Sequence, residues 1–166
     1  MLCIKRGSFM NWFEPYGLLF VILLLVPNVI FAVRHSDGFE NRYQNKAVET
    51  AEQIGRFGSF IFAVITPPFA CGGWLFDGAK TAYIAAGGTL TILYLIGWVV
   101  FRKTSSVAKS LYLSVVPSML FLTCGVLSLN FPLLVSAAVF APSHVILSFK
   151  NASINAETDS QYHKTV

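Results

Sequence analysis

The chain has 166 residues, 55% of them hydrophobic and only 12% charged, with a mean hydropathy of +0.63 and a formal charge of +4. A soluble domain of that length carries about 25% charged residues, so the composition excludes an ordinary water-facing globule. It points instead to an all-α, polytopic integral membrane bundle. The basic residues are spread through connecting segments without a cluster or interleaved aromatics, which gives nucleic-acid binding no support.

The lead MLCIKRGSFMNWFEP carries Lys5 and Arg6 ahead of an apolar run, as a signal peptide would. That run, Tyr16–Val33, is 18 positions long and has no small-x-small cleavage site after it, so it reads as a first membrane span rather than a cleaved leader. Met10 is an alternative start that leaves the span intact. Inside the span, Pro27 removes a backbone donor and crowds the carbonyl of Leu23. Asn28 follows at once and lies about 9 Å below the polar boundary at Arg34. Hydrocarbon offers an amide no partner, so Asn28 is expected to satisfy backbone freed by the kink, to bond a neighbouring helix, or to touch a ligand.

The polar passage RHSDGFENRYQNKAVETAEQIGRFGS, residues 34–59, sets the layout of everything after it. Ser36-Asp37-Gly38 reads as a turn, and Asp37 with Glu40 has capping-box spacing that starts a helix near Gly38. Ala47, Ala51, Ile54 and Gly58 recur at helical spacing opposite Arg42, Glu49 and Arg56, so the helix begins amphipathic and becomes spanning from about Phe57. Glu52 and Arg56 form a favourable i,i+4 pair. The charges balance, four basic against four acidic, unlike a polybasic lipid switch. PNVIFAVR followed by GFENRYQNKAVETAEQIGRFGSF resembles a family of small polytopic bacterial membrane proteins without established activity, over residues 12–69. The resemblance implies a membrane protein and assigns chemistry to no residue.

Span two is expected from Phe57 to Phe76, with Gly55 and Ser59 as a small-xxx-small pair and Thr66-Pro67-Pro68 kinking or breaking it. Trp74 and Phe76 mark an interface, and Asp77-Gly78 a turn. Span three, Tyr83–Phe101, ends in Trp98 and Phe101 before a basic loop with Arg102, Lys103 and Lys109. Spans four and five, Leu111–Leu129 and Phe131–Phe149, are separated by Asn130 alone. Asn130 can cap and Pro132 suits a first turn, so the two form a tight hairpin. His144 reads as packed or hydrogen-bonded. Residues 1–150 thus make one transmembrane helical domain of five spans, with four as the alternative. Residues 151–166 read as a disordered polar tail.

The chemistry is sparse. GxSxG, HExxH and P-loop patterns are absent from the sequence, and Cys3, Cys71 and Cys124 lack metal or redox spacing, so no catalytic residue, metal or cofactor is expected and the thiols read as free. Asn28, Glu49, Glu52 and Arg56 form the candidate polar cluster, where spans one and two approach each other. There the amide lies deepest and the ion pair near the surface. The leading function is a small structural or accessory membrane protein acting through the lipid bilayer, a protein partner or a second copy of itself. A transporter or channel subunit is the alternative, and a membrane enzyme the third. The expected location is the cell (plasma or inner) membrane, and Lys and Arg counts near the span ends put the amino terminus outside and the carboxyl terminus inside.

Overall fold

The computed structural model describes residues 12–34, 43–67, 73–102 and 106–165, with side chains through Glu157. Its helices are α1 (Pro15–Arg34), α2 (Lys46–Val64), α3 (Ala79–Val100), α4 (Val107–Leu127) and α5 (Phe131–Thr165). The all-α expectation holds among these residues. Four stretches are long and apolar enough to cross a membrane: α1, α3, α4 and the Phe131–Glu157 part of α5. In α2 the apolar run is interrupted, because Lys46, Glu49, Glu52 and Arg56 all fall within its first three turns.

Contacts fix the relative directions. Phe20 meets Tyr83 while Phe31 meets Trp98, so α1 and α3 run parallel. Phe13 at the start of α1 bridges Ile65 at the end of α2 in antiparallel fashion. The start of α5 likewise meets the end of α2, where Asn130 Nδ2 donates to the Phe62 carbonyl at 2.8 Å. α1 packs on α3, α3 on α4, α4 on α5, α5 on α2 and α2 back on α1, which closes a ring of five. Tyr83, Leu120, Phe121 and Leu133 fill its centre with less than 2% exposure, joined by Phe20 and Phe140. Large apolar side chains such as Leu19, Ile54, Phe57, Ile92, Met119 and Val135 face outward on every helix. Lipid tails accept such a surface freely, whereas a soluble monomer seldom exposes a contiguous apolar patch of that extent.

One end of the ring is stitched by backbone. Glu14 N donates to Val64 O and Thr66 N to Trp12 O, both at 2.8 Å. Gly73 N and Leu75 N donate to Ser128 O and Leu127 O. The carbonyls that α2 and α4 leave without intrahelical partners are thereby used. Asn130 Oδ1 caps α5 through Leu133 N at 3.1 Å, and Leu129 takes a left-handed turn at φ 47°, so the expected tight hairpin forms. The other end gathers Arg34, Lys46, Arg102 and Lys109, and is called the basic end here.

Several boundaries differ from the sequence expectation. α2 stops at Val64 rather than running to Phe76, with Ile65 extended at φ −117°, ψ 121°. Pro67 disfavours helical conformation in the residue before it, and the bridge to Phe13 gives the extended backbone its partners. α2 starts at Lys46, where the Asn45 side chain accepts from Ala47 N and Val48 N; the Asp37/Glu40 capping box lies outside the described residues, as do Cys3, Cys71 and Met10. Its 19 residues measure roughly 28 Å, close to the roughly 30 Å hydrocarbon thickness. The long amphipathic extension is therefore shortened to a helix that fits the bundle. α5 continues to Thr165, so the segment expected to be disordered is helical. Neither Gly nor Pro interrupts residues 150–165, and extending a formed helix costs far less than nucleating one.

Candidate polar site at the basic end

The face that α2 buries is its small and polar one. Glu52, Gly55, Ser59 and Ala63 point into the ring, whereas Ile54 is 66% exposed. Gly55 is required there, since a Cβ on it would stand 2.6 Å from the backbone nitrogen of Phe140. That close approach brings α5 within side-chain reach one turn away. The Glu52 carboxylate is 2% exposed and takes the Arg56 guanidinium from its own helix, with Nε at 2.9 Å and a second contact from the terminal nitrogen. From α5, His144 Nδ1 donates to the same oxygen at 2.9 Å. The imidazole is held by stacking on Phe140, with ring centroids 4.6 Å apart and 20° between planes.

Asn28 uses both of its amide N–H donors. Its Nδ2 donates to Leu24 O at 2.8 Å, the carbonyl next after the one Pro27 leaves free, and to the Tyr94 hydroxyl on α3 at 2.7 Å. The Tyr94 hydroxyl thereby ties α1 to α3. Glu49 sits in the first turn of α2, half-buried, where a carboxylate favours the helix dipole; its peptide N–H donates to Asn45 O at 3.0 Å. Of the four residues predicted from sequence, Glu52 and Arg56 are joined by contact, whereas Asn28 makes its own link between α1 and α3.

Two members were missed, Tyr94 and His144. A depth register could have found them. Asn28, Glu52, Tyr94 and His144 each lie six residues from the boundary residues Arg34, Lys46, Val100 and Lys150, a common depth of about 9 Å. One expectation is corrected in kind: the ion pair was placed near the surface, but its carboxylate is buried between α2 and α5. Cys124 is a buried free thiol.

Glu52 and Arg56 cancel in charge, His144 supplies a further donor, and Ser59 Oγ on the same buried face of α2 has no hydrogen-bond partner among the described residues. Among the described residues no group of three metal-ligating side chains occurs. No family model, curated protein or solved structure matches this chain.

Proposed function

We propose that the chain is a five-span protein of the cell (plasma or inner) membrane, amino terminus outside, that serves as a small structural or accessory subunit acting through protein or lipid partners. One observation carries the reading: the buried Glu52 carboxylate is held between Arg56 and His144 and so serves as a joint between α2 and α5. The resemblance of residues 12–69 to small polytopic bacterial membrane proteins agrees with this. Among the described residues the basic end takes Arg34, Lys46, Arg56, Arg102, Lys109 and Lys150, against Lys80 opposite, and this excess favours the cytoplasmic side for it. α2 counts as the fifth span because it lies alongside α5 over its whole length and turns Ile54, Phe57 and Ile61 outward.

A transporter or channel subunit is the second reading, favoured by an ionisable pair inside the bundle. Purified protein in proteoliposomes separates the two. Under an imposed pH gradient, flux should match that of empty liposomes; flux that disappears in Glu52→Gln overturns the accessory reading. Cysteines placed at Gly78 and Ser105 should label from outside and inside respectively, and the reverse pattern overturns the orientation.

A further inference from the structure

At the basic end, Lys109 stands in the first turn of α4, two residues beyond its first helical position and behind the Ser106 cap. A cation there opposes the helix dipole, whose amino end is already positive. Its ammonium nevertheless lies over two aromatic rings from other helices, 5.4 Å from the centroid of Phe31 on α1 and 5.7 Å from that of Trp98 on α3. Those two rings pack on each other at 5.2 Å. Lys109 has no carboxylate within ion-pairing distance among the described residues. The Trp98 indole also packs edge-on against Tyr94, with ring centroids 6.5 Å apart. Arg34 and Arg102 close the two neighbouring helix ends. Three helices therefore converge on a place where a cation without a carboxylate partner among the described residues lies against a packed aromatic wall.

We propose that this convergence of α1, α3 and α4 seats the phosphate of an anionic phospholipid, gripped by Lys109 and walled by Phe31 and Trp98. Phe31 lies three residues and Trp98 two residues inside their helix ends, about 3–5 Å deep, the level at which headgroup phosphates meet the acyl boundary. The aromatic rings hold the ammonium by cation–π attraction, so its long side chain is ordered before the lipid arrives. Basic pockets between spans on the cytoplasmic side are the recurrent geometry for anionic headgroups. The inference rests on the reading that the chain works with lipid as a partner, and it narrows that partner to one headgroup class at one place.

The test uses the full chain in nanodiscs of phosphatidylcholine doped with phosphatidylglycerol, with retained lipid counted by native mass spectrometry. Wild type should retain phosphatidylglycerol over phosphatidylcholine, and Lys109→Gln should lose that preference roughly fivefold. Lys109→Arg should restore it, and Lys80→Gln, at the opposite end, should leave it unchanged. Equal retention of both lipids by wild type overturns the proposal, as does equal loss in Lys109→Gln and Lys80→Gln. Competition by inorganic phosphate that abolishes the preference would assign the seat to free phosphate and overturn it for lipid. Lipid retention by isolated protein is read without any protein partner or flux, so its failure leaves the accessory reading to its own test.

Discussion

Replacing Arg56 with Gln tests whether the Glu52 carboxylate is as buried as the structure places it. Glu52 is 2% exposed whereas the Arg56 side chain is 37% exposed, so the two substitutions are unequal. Arg56→Gln strands a buried carboxylate on His144 alone, and breaking a buried pair in that way costs about 3–5 kcal/mol. Glu52→Gln leaves a guanidinium whose stem can extend toward headgroups, together with an amide that lacks one partner, at about 1–3 kcal/mol. In the double variant the stranded charge is gone, so its cost should not exceed that of Arg56→Gln alone. Asn28→Leu removes one interhelical bond, worth about 0.6 kcal/mol on average in membrane bundles. The buried ion pair therefore outweighs the amide in this ranking. Reversible unfolding in mixed micelles with a denaturing surfactant measures all four. Single effects below about 1 kcal/mol that add in the double variant would be the behaviour of a solvent-screened pair, and would refute the burial of Glu52.

Gly17→Ala should destabilise the bundle by about 1–3 kcal/mol through overpacking, because its Cβ would stand 1.8 Å from the Ala63 carbonyl oxygen. Gly88→Ala, with nothing within 4 Å, should be neutral or stabilising by up to about 1 kcal/mol from helix propensity; thermal unfolding of the two variants in one detergent gives the comparison, and equal shifts would contradict the α1–α2 contact. Cys124 should resist maleimide in the folded protein and react after unfolding, with intact mass unchanged by reduction. Labelling of the folded protein at the rate of a free model thiol would place it elsewhere.

Hydropathy alone located the apolar helices, because a span must satisfy its own backbone and a long apolar run admits little else. What it could not supply was which face of α2 turns inward. Periodicity read with the logic of water puts Ile54 inside and Glu52 outside; lipid inverts that, since its tails are as apolar as Ile54 and reward close packing of Gly55 and Ser59 instead. The partners of the polar groups were equally invisible. Glu52 and His144 are 92 residues apart and Asn28 and Tyr94 are 66 apart, separations that no local pattern encodes. Pro67 and Pro68 announced a disturbance in α2, but a full stop required Phe13 to bridge Ile65, again a distant contact. The helical continuation past Lys150 went unread because low apolar content was weighed more heavily than the lack of any helix breaker.

The polarity of α2 governs how the chain enters the membrane. An insertion machine that weighs each segment alone charges about 2.5–3.5 kcal/mol for a central Arg or Asp, and α2 presents Glu52 and Arg56 within three turns of Lys46. Pairing one turn apart on the same helix lets the two charges travel as a neutral dipole. The antiparallel contact with α1 means that the more apolar neighbour can carry α2 across as a helical pair. His144 emerges from the ribosome 92 residues after Glu52, so the carboxylate waits for its second donor until α5 arrives. Assembly of the ring is therefore completed by its last helix, and a chain truncated before Phe131 would hold α2 in the bilayer with its buried face unsealed.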